Sequence, residues 1–375
     1  MKTEYRKLGD LVDLIDERNK SLVSTEVLGI SIDKEFMPSV ANTIGTDLSN
    51  YKLLKKNRFA CNPMHVGRDE RLPVSLYNKE IPAIVSPAYF MFEIADTKSV
   101  LPEYLMLNFK RADFDRNCWF RTDGSVRGGI AWDALCEIKL PLPAIEKQQK
   151  IVDAYNTVDR RIQLLQQINE NLEKTAQCLF ENVFKHELQK EEISFTDVID
   201  LLGGGTPSTA EKAYWSGNIP FFAPADIEKS IFCFSTEKNL TEEGLNNCSS
   251  KLYPKNTTFV TCRGTVGKLA LVGTPMAMNQ SCYALKDKNG QYPFFTYSFA
   301  KFTVSKLKNK ASGAVFSALV TKDFEMEKVF NPNLEKMKEY ETKSSSIFEN
   351  ISSNEKEIAK LQELKQLVIS RISGM

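Results

Sequence analysis

The chain states one pattern twice. It opens Leu8-Gly9-Asp10-Leu11-Val12-Asp13-Leu14-Ile15, and Phe195-Thr196-Asp197-Val198-Ile199-Asp200-Leu201-Leu202 repeats this with both aspartates in step. His65-Val66-Gly67-Arg68 is answered by Thr265-Val266-Gly267-Lys268. Val85-Ser86-Pro87-Ala88-Tyr89 is answered, more weakly, by Asn279-Gln280-Ser281-Cys282-Tyr283. Each half ends on a glycine segment (Gly124-Ser125-Val126 and Gly313-Ala314-Val315), then a proline and a long amphipathic stretch. A period near half of 375 residues lies far beyond the roughly 20–50 residues of a solenoid unit. The chain is therefore a duplicated domain, and a duplicated domain usually reads a duplicated target. The shift between copies is 187 residues at Asp10/Asp197, 200 at Val66/Val266 and 189 at the start of the helices, Pro143/Pro332. Framework is kept while interior loops drift, which predicts two recognition modules of different specificity on one scaffold.

The stretch after each module reads as helix. Ile151, Val158, Leu165, Leu172 and Leu179 are spaced by heptads, with Tyr155, Ile162, Ile168, Ala176 and Val183 at the alternate position. No Pro or Gly interrupts residues 144–185. Such a run predicts a coiled-coil helix about 50–60 Å long. The second half closes the same way, with Ile347, Asn354, Leu361 and Val368 on the seam and Ile351, Ile358 and Ile372 between them. Neither seam has a long partner in its own half, so the two helices are expected to pair with each other. Asn354 is the kind of polar seam residue that fixes register. Short β-type runs (82–93, 257–261, 268–272) alternate with turns and short helical pieces such as 102–114 and 293–307. The expected fold is α+β. Two tandem mixed α/β domains, residues 1–143 and 187–332, are separated by two long helices, 144–186 and 333–375, that pair as an antiparallel coiled coil. The whole forms a pseudo-twofold internal repeat.

Composition narrows the function. Apolar content of 42% and charged content of 26% are ordinary for a globular chain of two or three domains. No apolar run approaches a membrane span, and the first residues lack the apolar core of a signal peptide. The eight cysteines, Cys61, Cys118, Cys136, Cys178, Cys233, Cys248, Cys262 and Cys282, form no C-x-x-C pair. They predict no metal site and read as buried thiols of a reducing, cytoplasmic compartment. A net charge of +1 argues against nucleic-acid binding by bulk electrostatics alone, while leaving room for local basic faces.

Catalytic motifs are missing. The two histidines, His65 and His186, lie in different segments, and neither H-E-x-x-H nor G-x-S-x-G occurs. Ser298-x-x-Lys301 has none of the companion motifs of serine β-lactam enzymes. Gly203-Gly204-Gly205-Thr206-Pro207 and Gly264-Thr265-Val266-Gly267-Lys268-Leu269 both fail as phosphate cradles. Pro207 removes a backbone donor from the first, and Leu269 replaces the hydroxyl residue of the second. Both are expected to be turns.

Four segments together resemble the specificity (S) subunit of type I restriction–modification systems. They are Pro141-Leu142-Pro143-Ala144-Ile145-Glu146-Lys147-Gln148-Gln149 running into the heptad helix, and Gly205-Thr206-Pro207-Ser208 followed by Tyr214-Trp215-Ser216-Gly217-Asn218-Ile219-Pro220-Phe221. The others are Arg263-Gly264-Thr265-Val266-Gly267-Lys268 with Asn279-Gln280, and Val85-Ser86-Pro87-Ala88-Tyr89-Phe90. The first half lacks the Gly-Thr-Pro/Tyr-Trp segment, and Phe330-Asn331-Pro332 replaces the second Pro-Leu-Pro. The resemblance implies a reader with no catalytic residues of its own. Each module would be a target-recognition domain for one half of a bipartite double-stranded DNA site, and the helices would set the gap between half-sites. Two methylation subunits would dock on the helices, and restriction subunits would join them. S-adenosylmethionine, ATP and Mg2+ would all sit on those partners.

Base readout needs Arg or Lys on guanine and Asn or Gln on adenine, projected from loops. Candidates are Arg68, Arg71, Arg121 and Arg127 in the first module, and Lys229, Arg263, Lys268 and Lys310 in the second. Arg68 and Lys268 follow the same Val-Gly turn in the two copies. A duplicated scaffold that binds two copies of a protein partner, without DNA specificity, is the alternative expectation.

Overall fold

A computed structural model describes residues 4–40, 45–64, 66–122, 128–227, 230–310 and 318–373. The chain divides into two compact units, residues 1–161 with 361–375 and residues 162–360. Among the described residues no helix is long and apolar enough to cross a membrane.

The first unit runs β1 (Glu4–Lys7), β2 (Val12–Leu14), β3 (Val27–Ile30), β4 (Phe36–Pro38), β5 (Lys52–Leu54), β6 (Phe59–Cys61), α1 (Val66–Asp69), β7 (Val74–Leu76), β8 (Ala83–Val85), β9 (Phe90–Ile94), α2 (Pro102–Phe109), α3 (Ala112–Phe120), α4 (Trp132–Cys136) and β10 (Lys139–Leu142). One four-stranded antiparallel sheet has the order β2-β9-β6-β7. A second has the order β4-β3-β8-β5, with β3 and β8 parallel. β1 pairs with β10. The extended run expected over 82–93 breaks into two strands of different sheets. Tyr89 N–H closes a turn onto Ser86 O at 3.1 Å around Pro87, which has no N–H to offer a ladder. Helix 102–114 likewise breaks, at Arg111, whose backbone is extended and whose guanidinium is drawn back to Asn108 Oδ1 at 2.9 Å. The core sets Phe59 and Phe92 in a stack at 5.1 Å, with Phe109 edge-on to both.

The second unit contains β11 (Ile193–Ser194), α6 (Phe195–Val198), β12 (Ile199–Gly203), β13 (Trp215–Phe222), β14 (Phe232–Cys233), β15 (Asn239–Leu240), α7 (Glu242–Asn246), β16 (Thr258–Thr261), β17 (Leu269–Val272), β18 (Ala277–Met278), β19 (Cys282–Asp287), α8 (Pro293–Lys310), α9 (Thr321–Met326) and β20 (Lys328–Val329). Its main sheet has the order β12-β19-β16-β17-β14, the smaller one β15-β13-β18, and β11 pairs with β20.

The duplication extends to register. Leu14 pairs with Phe92 on β9 as Leu201 pairs with Leu285 on β19. The hairpin β6–β7 has its counterpart in β16–β17, and parallel β3/β8 in parallel β13/β18. The Gly-Thr-Pro segment is framework. A Cβ on Gly204 would meet Asn279 O at 2.2 Å, Gly205 N–H donates to Met278 O at 3.2 Å, and Thr206 bonds Gln280. Two of the four family-like segments are thus one packed unit. Five of the eight cysteines are buried; Cys136 and Cys248 are half-buried and Cys178 is exposed.

The long helices are α5 (Ile145–Val183), 39 residues, and α10 (Leu334–Ser373), 40 residues. In the first unit Ile151, Val152 and Tyr155 pack with Ile369, Ile372 and Tyr104 of α2. Lys365 pairs with Asp159 and lies 5.0 Å over the Tyr155 ring. In the second unit Ala176 packs with Phe348 and Ile351, Tyr340 OH donates to Ala176 O at 3.2 Å, and Asn354 Nδ2 donates to Asn169 Oδ1 at 2.8 Å. Numbers rise on one helix as they fall on the other, so the pairing is antiparallel. Of the expected seam residues, Ile151 and Leu165 are buried, while Val158, Leu172, Leu179, Ile347, Asn354, Leu361 and Val368 are half-buried.

Ile168 is a correction. It is 37% exposed, and Asn169 is buried in its place. Seven residues after Ile162 is Asn169 and seven further is Ala176; the amide tolerates burial because Asn354 satisfies it.

α10 buries polar groups as well. Glu355 accepts from Ile231 N–H at 2.7 Å and Phe232 N–H at 2.9 Å, at the edge of β14. Glu341 accepts from Phe294 N–H at 3.1 Å and Phe295 N–H at 2.9 Å, the unpaired donors of the first turn of α8. Burial pushes both carboxyls up to about 7, and the backbone donors only partly offset it. The serine of the Ser298-x-x-Lys301 tetrad is committed to packing, at 2.7 Å from Tyr340 OH.

Candidate nucleic-acid interface

In the first unit the turn between β6 and β7 carries Arg68 on α1 and Arg71 just beyond. Three ties hold it. Gly67 N–H donates to Gly128 O at 2.9 Å, Ile130 N–H donates to Pro63 O at 3.1 Å, and Leu72 N–H donates to Asp115 Oδ1 of α3 at 3.1 Å. Asp115 also takes Lys34 Nζ at 2.7 Å, and that ammonium donates to Leu72 O at 2.6 Å. This charge pair is buried, and a buried pair is tolerable only when further hydrogen bonds satisfy it. It fastens the β3–β4 turn, the Arg71 loop and α3 at one point.

The guanidinium of Arg68 is exposed and forks onto its neighbour, with Nε to Asp69 Oδ1 at 2.7 Å and Nη2 to Asp69 Oδ2 at 3.0 Å. That hydrogen-bonded carboxylate raises its pKa further and fixes its plane. Nη1 and the outer hydrogen of Nη2 have no partner among the described residues, and that is the end that meets guanine O6 and N7. Arg71 is 3.4 Å from Asp33. Arg121, half-buried at the end of α3, bonds back to Asn117 O and Oδ1, both at 3.1 Å.

In the second unit the turn between β16 and β17 carries Arg263 and Lys268, both exposed and without an ion-pair partner among the described residues. Its frame copies the first. Leu319 N–H donates to Cys262 O at 2.9 Å, as Ile130 does to Pro63. Lys308 Nζ donates to Gly267 O at 2.7 Å. Gly267 has φ +70°, and a Cβ there would meet Lys308 Cε at 2.7 Å, so the turn requires glycine. Arg127, Lys229 and the side chain of Lys310 lie outside the described residues.

The two expected cations thus stand on the same hairpin of matched sheets, each backed by a helix. They differ electrostatically. The first turn is neutralised internally by Asp69 and Asp33, which suits oriented base contact, and the second has no counter-charge among the described residues, which suits attraction of phosphate. Arg116, Trp119 and Phe120, which α3 exposes, are not among the expected candidates. Their signal lay in the basic–aromatic string Arg116-Asn117-Cys118-Trp119-Phe120-Arg121.

The profile of the family "Type I restriction modification DNA specificity domain" matches residues 2–174 and again 188–367. The chain belongs to this family. As a type I specificity subunit it recognises the DNA target and is not itself an enzyme. Among its relatives, the HindI specificity subunit of Haemophilus influenzae is 24% identical over 402 residues, covering 86% of each chain. The MjaIX specificity subunit of Methanocaldococcus jannaschii is 30% identical over 164 residues, 43% of this chain and 38% of that one. The S subunit of a type I system from M. genitalium shares the fold, with a TM-score of 0.61 at 14% identity over 99% of this chain and 96% of that one. The mixed α/β, tandemly repeated architecture of this specificity subunit is therefore that of its family.

Proposed function

We propose that residues 1–143 and 187–332 are two target-recognition domains, each reading one half of a bipartite double-stranded DNA site. The observation that carries this reading is the matched hairpin, β6–β7 and β16–β17, with Arg68 and Lys268 in equivalent turns that are otherwise differently charged. Equivalent placement gives both domains the same approach to DNA, and different side chains give them different half-sites.

The paired helices α5 and α10 are the docking surface for two methylation subunits, and restriction subunits join that complex. S-adenosylmethionine, ATP and Mg2+ are held by those partners, so every bond-making step lies outside this chain. The partner set is inferred from the family and the lack of a catalytic constellation in the sequence. Mapping N6-methyladenine in DNA from cells carrying the chain with its partners tests the whole reading. A two-part motif with a fixed gap is expected. Methylation at a single unbroken motif, or at none, overturns it.

A further inference from the structure

We propose that Phe120, with Trp119 beside it at the end of α3, is an apolar wedge that the first module presses against a base step of its half-site. This rests on the reading of the chain as a two-module DNA reader.

Phe120 is 85% exposed and Trp119 45%, two adjacent aromatics left in water where the core has no use for them. Their helix is firmly seated. Phe114 and Cys118 are in the core, and Asp115 holds Lys34 and the Leu72 backbone. The tip is therefore presented on a rigid base, and the same Asp115 node ties that helix to the Arg71 loop through Leu72.

Charge selects the occupant. Arg116 stands one turn before Phe120 on the same face, exposed and without an ion-pair partner among the described residues. Arg121 follows directly. An aromatic tip flanked by guanidinium groups with no ion-pair partner among the described residues fits a ligand with anionic edges and apolar faces, which is the arrangement of phosphates and stacked bases. Inserted side chains of this kind partly unstack a step and kink the duplex. Pyrimidine–purine steps yield most readily, so the wedge favours a TA or CA/TG step.

The second module lacks the device. The shift that aligns Ile130 with Leu319 places Lys308 and Asn309 at Trp119 and Phe120, and Lys308 is turned inward onto Gly267 O. Deformation is thus a property of the first half-site alone.

The test uses the full chain assembled with its methylation subunits and duplexes carrying the mapped site, with 2-aminopurine placed at successive steps. Away from the methylated adenines, which the methylation subunits must extrude from the stack to reach N6, wild type is expected to raise fluorescence at one step of the first half-site and at none of the second. F120A should abolish that signal and weaken specific binding about tenfold or more, with unchanged thermal unfolding and unchanged retention of methylation subunits. F120W should restore both. Wild-type fluorescence and affinity in F120A, beside intact specific binding by wild type, overturn the wedge. Loss of methylation subunits from F120A overturns it too, by making the face a protein dock. Absence of any sequence-specific binding by wild type defeats the two-module reading itself, and the wedge with it.

Discussion

Asn354 Nδ2 donates to Asn169 Oδ1 at 2.8 Å across the paired helices, and Asn169 is buried. One amide can donate to the other only when the two sit opposite each other, so this contact fixes the register of an otherwise apolar seam. Asn354→Leu leaves the Asn169 amide buried and unpaired. It should lower the unfolding free energy by about 1–3 kcal/mol. The double variant Asn169→Leu/Asn354→Leu should recover most of that loss, because neither unpaired group remains. Denaturant titration of the four proteins in a double-mutant cycle checks it; additive losses would mean that the amides act separately.

Glu341 and Glu355 make the stability of the second unit depend on pH. Burial raises both carboxyls from the ordinary 4.5 to about 7 in the folded chain. Between those values the folded state binds more protons than the unfolded one. The contribution is fully present below pH about 4.5 and is lost as pH rises through about 7. The groups facing them are acidic as well, Asp287 beside Glu341 and Glu173 beside Glu355. Melting temperature of the second unit should therefore fall from pH 6 to pH 8. Glu341→Gln/Glu355→Gln should flatten that slope. An unchanged slope in the double variant would assign it to other groups.

Arg68→Ala and Lys268→Ala should act on different halves of the site. Each should weaken binding about tenfold; Arg68→Ala should relax base preference at the first half-site, whereas Lys268→Ala should weaken binding about evenly across sequences of the second. Lys268→Ala should also reduce the salt dependence, since that ammonium has no counter-charge among the described residues. Arg68→Ala should leave it nearly unchanged, because Asp69 already neutralises the guanidinium. Competition binding against libraries randomised in each half-site, at two salt concentrations, separates these outcomes.

Much of this was legible in the sequence because it rests on periodicity and repetition. Heptads spaced from Ile151 to Leu179 mark a helix whatever surrounds it, and the Val66/Val266 match marks equivalent turns. What was not legible depends on partners distant in sequence. Ile168, not Asn169, is the apolar residue that the spacing offers there, and the burial of Asn169 depends on Asn354, 185 residues away. Nothing local to Glu355 or Glu341 reveals the backbone donors of Ile231 and Phe294 that hold them. Asp115 was overlooked for the same reason, its partners being Lys34 and Leu72. Arg68 was found by its place in the repeat, but its pairing with Asp69 needed geometry.

Helix length is expected to set the gap between half-sites. An insertion of four residues keeps the helical phase, since a turn is 3.6 residues, and lengthens the helix by about 6 Å. Placed after Leu165 in α5 alone, it falls between Asp159, which pairs with Lys365, and Asn169, which pairs with Asn354. One of those pairs must then break, and the variant should lose stability. A second insertion of four after Leu361 in α10 falls between the same two partners on the facing helix, so both pairs survive. The paired variant should fold as wild type does and keep its half-site sequences. The gap should widen by about one or two base pairs, because B-DNA rises 3.4 Å per pair. Mapping methylated adenines for wild type, the single insertion and the paired insertion reads the gap directly. An active paired variant with an unaltered gap would mean that the helices serve only for docking and that spacing is set within the modules.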